Sequence, residues 1–243
     1  MKIIVDGQII NCEQMGQGQD LVILHGWGRS IGEWFPIAKN FLGYRVTLID
    51  LPGFGASEDL SYPLDTYGYT RVVLECMKKL SINKCVVMGH SFGGRIATVL
   101  AAKYPDVVSQ IILVDAGGIE IKGVSTRLQI LFYKTFLKHL RRIIPTSIKR
   151  LFGSSDYKRI SGNLQKSFVK IVNQDLRHLF SSIQQPVIVL WGSGDEVLPV
   201  EYVKIYQKLV PRVVTRIIWG ADHSPHISRS RDFMNVLNEV LQA

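Results

Sequence analysis

Cys85-Val86-Val87-Met88-Gly89-His90-Ser91-Phe92-Gly93-Gly94 is the stretch whose reading decides the fold. Its first four residues are an apolar run of strand length, and from Phe92 a helical pattern continues to Tyr104, where Pro105 stops it. Between strand and helix, Gly89, Ser91 and Gly93 spell G-x-S-x-G, the signature of a sharp, strained turn that lifts a serine hydroxyl clear of the backbone. A side chain at Gly89 or Gly93 would collide with the neighbouring strand or helix. The helix that follows points its positive end at Ser91, which favours negative charge developing there. The five-residue pattern alone recurs by chance; the strand before it and the helix after it make it specific.

Outward from this turn, short apolar runs alternate with helical patterns. Leu21–Leu24, Arg45–Asp50, Ile111–Val114, Val187–Leu190 and Val213–Trp219 are near-continuous in apolar residues, as expected of parallel strands covered on both faces. Helical spacing predicts helices over Thr66–Leu80, Val200–Leu209 and Asp232–Leu241. Strand and helix in alternation imply an α/β fold: a mostly parallel central sheet flanked by helices, joined by right-handed crossovers. Two short strand patterns around Asp6-Gly7 predict a hairpin, so the sheet begins antiparallel. The rhythm breaks after Gly117, where the pattern turns helical and basic. The expected organisation is a core in two parts, 1–116 and 186–243, with an inserted helical lid over 117–185.

The formal net charge of +9 resides in that insertion. Residues 119–180 hold 13 Lys and Arg against 3 Asp and Glu, while the rest of the chain holds 16 against 17. Leu128, Leu131, Phe132, Phe136, Leu140 and Ile143 fall in one apolar helical stripe, with Arg127, Lys134, Lys138, Arg141 and Arg142 interleaved. Such a helix covers a pocket with its apolar side and faces water with its basic side. The other reading is attraction to an anionic substrate or an acidic membrane surface. No nucleic-acid motif accompanies the charge. The three cysteines, Cys12, Cys76 and Cys85, are odd in number and show no C-x-x-C spacing, which argues against a disulfide framework or structural zinc. No metal-ligand cluster and no dinucleotide fingerprint appear, so no cofactor is expected. No signal peptide and no run of membrane-spanning length is apparent, and the expected location is cytoplasmic.

A serine becomes a nucleophile when a base takes its proton. His223 is the first candidate because it lies in the loop after the last predicted strand, at the sheet edge where Ser91 also lies. His226 is its local rival; His139 and His178 fall in the insertion, where a packed or solvated ring is the ordinary reading. The base needs an acid to fix its tautomer. Asp195 follows Val187–Leu190 and is preferred; Asp115, one strand earlier, is the alternative, and Glu196 and Asp222 read as solvated neighbours. A tetrahedral intermediate needs two aligned donors. The main-chain N–H of Phe92 supplies one. Trp27, in the loop His25-Gly26-Trp27-Gly28, supplies the second, with Gly26 allowing close approach and the His25 ring bracing the loop.

Leu24-His25-Gly26-Trp27, Asp50-Leu51-Pro52-Gly53-Phe54-Gly55-Ala56-Ser57, the Ser91 turn, and the Asp195 and His223 loops together resemble the α/β-hydrolase superfamily. The likeness runs in order from about Leu21 to the C-terminus and does not extend closely to the insertion. It implies a Ser91–Asp195–His223 triad in the order usual for that fold. It also implies a rim-shaping role for Asp50–Ser57. The chain departs at Ile227-Ser228-Arg229-Ser230, where relatives often carry an acidic residue and a proline. Relatives that open epoxides or displace halide carry aspartate at the turn, and this chain carries serine. The resemblance therefore implies an ester, thioester or similar acyl bond of a small molecule. Carbon–carbon bond hydrolysis, acyl transfer and lyase chemistry use the same triad, and a non-catalytic binding protein of the same fold is the reading from a different class.

Overall fold

The computed structural model describes residues 1–119 and 154–242. The predicted stripe from Leu128 to Ile143, its interleaved Arg and Lys residues, and His139 lie outside the described residues. Eight strands form one sheet: β1 (Lys2–Val5), β2 (Gln8–Gly16), β3 (Gln19–Leu24), β4 (Tyr44–Ile49), β5 (Cys85–His90), β6 (Val108–Val114), β7 (Val187–Gly192) and β8 (Val213–Ile218). Their spatial order is β1-β2-β4-β3-β5-β6-β7-β8. β1, β2 and β4 pair antiparallel, and every pairing from β4 through β8 is parallel. Asp6 and Gly7 turn the first hairpin with φ of 49° and 78°, the left-handed pair that a two-residue turn needs.

Alternate residues of each strand feed opposite faces. Val22, Leu24, Val87, Leu113 and Val189 enter the larger core. It is covered by α2 (Thr66–Lys79), α3 (Phe92–Lys103), α4 (Ser154–Val172), the short α5 (Arg177–Phe180) and α6 (Tyr202–Leu209). Leu21, Ile23, Val86, Met88, Ile112 and Ile188 face the other way, toward Trp34, Phe233 and Leu237. That side is closed by α1 (Phe35–Ala38), α7 (Pro225–Ser228) and α8 (Ser230–Gln242). β8 differs from the expectation of a strand buried on both faces. It is an edge strand in which Val214 and Arg216 are exposed, and it ends at Ile218, leaving Trp219 in solvent.

The described part of the insertion is helical and bound to the core. Ser167 Oγ of α4 accepts the main-chain N–H of Leu64 at 2.9 Å, and Gln174 Oε1, just past the end of α4, accepts that of Thr66 at 3.0 Å. Ile171, Leu176, Leu179, Phe180 and Ile183, all within the span assigned to the lid, are buried in the larger core. No described helix is long and apolar enough to cross a membrane.

Candidate active site

The turn after β5 has the backbone its sequence implies. Ser91 sits at φ 50° and ψ −107°, a conformation costly for a residue with a Cβ. It is held from both sides: its N–H donates to the Val114 carbonyl at 2.9 Å, and its carbonyl accepts from Gly117 N at 3.0 Å. A Cβ on Gly89 would fall on the Gly93 carbonyl, and one on Gly93 would fall on the Leu24 carbonyl, so both positions require glycine.

Loops after β5, β7 and β8 meet at one edge of the sheet. His223 Nε2 lies 3.0 Å from Ser91 Oγ, and His223 Nδ1 lies 2.8 Å from Asp195 Oδ2. The Asp195 side chain is fully buried, and its Oδ1 accepts from the N–H groups of Val197 and Leu198 at 2.7 and 2.9 Å. Burial works against ionisation of Asp195, but the bond to His223 and the donated N–H groups hold its carboxyl below the usual range. Burial also pushes the His223 ring down, against the pull of Asp195, which keeps the imidazole neutral and able to accept a proton.

The rivals lie elsewhere. Asp115, fully buried at the end of β6, accepts from Gly192 N at 3.0 Å. Burial, and after it the neighbouring Asp195, push its carboxyl well up. His226 is stacked on Trp34, with ring centroids 4.0 Å apart and planes 4° apart, and its Nε2 lies 3.0 Å from Glu33 Oε1. It does not reach Ser91. Glu196 and Asp222 are exposed, as expected of solvated neighbours, and His178 lies 3.4 Å from the Tyr67 hydroxyl.

The loop after β3 closes against the serine. Gly26 packs under the turn so tightly that a Cβ there would come within 2.8 Å of His90 Nδ1 and 3.5 Å of Ser91 Cβ. The His25 ring bridges this loop to the next: Nδ1 donates to the Gly26 carbonyl at 2.7 Å, and Nε2 accepts from Leu51 N at 3.0 Å. That pattern is satisfied only by the neutral ring, and burial pushes the ring the same way. Asp50 ties its own loop down by accepting from Ile31 N at 2.7 Å and Ala56 N at 2.9 Å. The Trp27 and Phe92 rings meet edge-on at 5.2 Å, which brings the two segments expected to supply the donors side by side. Phe92 opens α3, so its N–H belongs to the first turn, whose donors have no partner within the helix.

Two clusters of three potential ligands occur among the described residues: Asp115, Asp195 and His223, and Glu33, His90 and His226. Their close contacts of 2.8 to 3.1 Å are those of groups sharing protons. The second cluster was missed from sequence. Glu33 lies in Ile31-Gly32-Glu33-Trp34 with no spacing that links it to a histidine.

A family model described as the alpha/beta hydrolase fold matches residues 21–230. Among curated proteins, the chain is 27% identical to a pimeloyl-[acyl-carrier protein] methyl ester esterase of Shewanella woodyi, over 96% of this chain and 97% of that one. It is 28% identical to the enzyme of the same name from Pseudoalteromonas atlantica, over 93% and 95% of the two chains. Among solved structures, a hydrolase from Pseudomonas aeruginosa PA01 superposes with a TM-score of 0.82 at 18% identity, covering 100% of this chain and 98% of that one. The sheet order, the turn at Ser91 and the extent of the match agree: the chain belongs to the alpha/beta hydrolase fold family and, with serine at its elbow, is a serine hydrolase.

Proposed function

We propose that this chain is an esterase that cleaves a carboxylic ester of an acyl compound through an acyl-enzyme on Ser91. The observation that carries the reading is the unbroken relay from Ser91 Oγ to His223 Nε2 at 3.0 Å and from His223 Nδ1 to Asp195 Oδ2 at 2.8 Å. In the first half-reaction His223 takes the hydroxyl proton as Ser91 Oγ bonds to the ester carbonyl carbon. Asp195 stabilises the imidazolium that results. The main-chain N–H groups of Phe92 and Trp27 receive the oxyanion. The carbon–oxygen bond to the alcohol then breaks, and the alcohol leaves with the proton held by His223. Water repeats the sequence on the acyl-enzyme, releasing the acid and restoring Ser91.

The relatives' name suggests the substrate class, a small alkyl ester of an acyl chain. A second element of the proposal rests on charge. Those relatives are named for a substrate borne on a carrier protein, and residues 119–180 here hold 13 basic against 3 acidic residues. A segment so charged favours an anionic substrate or carrier over a neutral one. The three buried free thiols, Cys12, Cys76 and Cys85, suit a reducing compartment, and we place the enzyme in the cytoplasm.

The test is covalent labelling by a fluorophosphonate and hydrolysis of a panel of methyl esters, with products identified. The wild type labels and releases acid and alcohol; Ser91→Ala does neither. Full labelling of Ser91→Ala overturns the nucleophile, and products of carbon–carbon cleavage or acyl transfer overturn the reaction class. The charge element is read from kcat/KM for an anionic and a neutral ester of equal size. The preference for the anion should shrink as the Debye length falls from ~10 Å at 0.1 M salt to ~3 Å at 1 M.

A further inference from the structure

One turn into α3, beyond Ser91, stands a buried cation that the proposed chemistry does not use. Arg95 is 8% exposed. Its Nε lies against Gly117, where an added Cβ would come within 2.8 Å of it. Gly117 N is the donor that holds the Ser91 carbonyl at 3.0 Å. The guanidinium therefore sits beside the segment that braces the nucleophile turn. Its Nη1 donates to the main-chain carbonyl of Gln174 at 2.9 Å, and a guanidinium carries a fork of further donors.

A guanidinium keeps its charge when buried, and a buried charge calls for a counter-ion. Burial pulls Arg95 down only to about 10, so it is a cation at neutral pH. Arg29, Arg45, Arg177 and Arg216 pair with carboxylates, whereas Arg95 pairs with none among the described residues. Asp175 follows its Gln174 contact in the chain, but that carboxylate is taken by Arg177 Nε and Nη2. Two tyrosines of α6 close the same neighbourhood. The Tyr206 hydroxyl lies 3.2 Å from the Ala116 carbonyl and 3.3 Å from that of Gly117, the residue Arg95 packs on. Tyr202, one turn earlier, meets Trp191 edge-on at 6.3 Å and is 9% exposed. Its buried hydroxyl has no hydrogen-bond partner among the described residues. Burial pushes that hydroxyl up, and the charges of Arg177 and Arg95 pull it back, so both cations lie within electrostatic reach of it. A buried cation without an anion and a buried hydroxyl without a partner thus occur together, between α3, the segment after β6 and the start of α6.

We propose that Arg95 and Tyr202 form a carboxylate subsite beside Ser91, and that the ester cleaved there carries a free carboxylate elsewhere on the same molecule. The guanidinium fork matches the two oxygens of a carboxylate, and the phenol adds a further donor. The subsite lies apart from the expected oxyanion donors, which serve the carbon under attack; it orients the substrate with its carboxylate toward the β6 and α6 side. Arg95 precedes the basic span 119–180, and a buried cation is screened by salt far less than exposed ones. The subsite rests on the esterase reading for its purpose and on the contacts above for its existence.

Two ester pairs locate the carboxylate. Monomethyl adipate against dimethyl adipate carries it on the acyl side, and acetoxybutyrate against butyl acetate carries it on the alcohol side. At 1 M salt, with a Debye length of ~3 Å, attraction by exposed cations is largely screened. The wild type should still favour the acid of at least one pair in kcat/KM. That ratio of acid to neutral ester should fall about tenfold in Arg95→Gln and roughly threefold in Tyr202→Phe, the sizes expected of a charged and a neutral donor. An unchanged ratio in folded Arg95→Gln overturns the subsite, because a residue that only braces Gln174 lowers both members of a pair alike. Should that variant not fold, the wild type decides: no preference for the acid in either pair overturns the subsite. Calorimetry with the two acids on Ser91→Ala reads the subsite without turnover, and binding of neither also overturns it. Loss of Ser91 labelling and of all ester hydrolysis would instead overturn the esterase reading.

Discussion

Asp115 and Asp195 end neighbouring strands and place carboxyl oxygens within 4.8 Å of each other, yet only Asp195 makes a hydrogen bond to His223. The pair shares its charge unequally. Asp115 is pushed well up by burial and by Asp195, while Asp195 is held down by His223 and two main-chain N–H groups. Asp115→Asn should accordingly keep most activity, because Asp115 makes no hydrogen bond to His223 and an amide oxygen can still accept from Gly192 N. Asp195→Asn should lose on the order of 10⁴ in kcat, by analogy with a triad whose imidazole is left in the wrong tautomer. Steady-state kinetics on one ester rank the two; the reverse ranking places the acid one strand earlier.

The pH profile of activity follows from the state of His223. Its folded pKa lies below the ordinary 6.5, with burial the largest cause. The proposed base works only when neutral, so kcat/KM should hold a plateau through neutral pH and fall as pH drops through the depressed value. An acid limb centred above the ordinary histidine range is the result that contradicts this.

Stability should fall over an overlapping range for a different reason. His226 titrates at about 4 in the folded protein against an ordinary 6.5. Between those values the unfolded chain takes up a proton that the folded chain does not. The stabilisation is complete above about 6.5 and is lost as pH falls toward about 4, amounting to roughly 3 kcal/mol. The lowered Glu33 carboxyl adds a further loss below its ordinary 4.5. Thermal melts from pH 7 to pH 4 measure this. A Tm independent of pH between 7 and 5 would mean that His226 is not held neutral in its slot against Trp34.

One substitution should act with opposite signs at two glycines. A Cβ at Gly93 falls on the Leu24 backbone, so Gly93→Ala should cost about 2 kcal/mol or more and displace the serine. Gly162 lies within α4 with nothing inside 4 Å of an added Cβ. Gly162→Ala should stabilise by roughly 0.5–1 kcal/mol through helix propensity. Denaturant unfolding of the two variants checks both signs.

How much of this was legible in the sequence depends on how the information is carried. That Ser91, Asp195 and His223 come together was readable because parallel topology delivers the loops after β5, β7 and β8 to one edge, whatever the details of packing. Asp115 remained an open alternative for the same reason: it too ends a strand at that edge, and only the hydrogen bonds distinguish it. His226 against His223 needed three dimensions, since three residues of spacing turn one ring toward Ser91 and the other onto Trp34. Glu33 carried no signal, because its partners are 57 and 193 residues away and meet it only through the packing of the loops. The apolar stripe from Leu128 to Ile143 lies outside the described residues, so the boundary of the lid rests on the sequence alone.

The backbone of Ser91 has a consequence for how this position can drift. At φ 50° and ψ −107° a side chain is tolerated only because Val114 and Gly117 hold the chain on either side. Glycine adopts such angles without that penalty, whose size is of order 1–3 kcal/mol. Selection for folded, soluble protein alone would therefore drive codon 91 toward glycine and be rewarded at each step. Only selection for turnover keeps a hydroxyl there, which makes this residue a site where a thermostability screen blind to chemistry would breed out the enzyme.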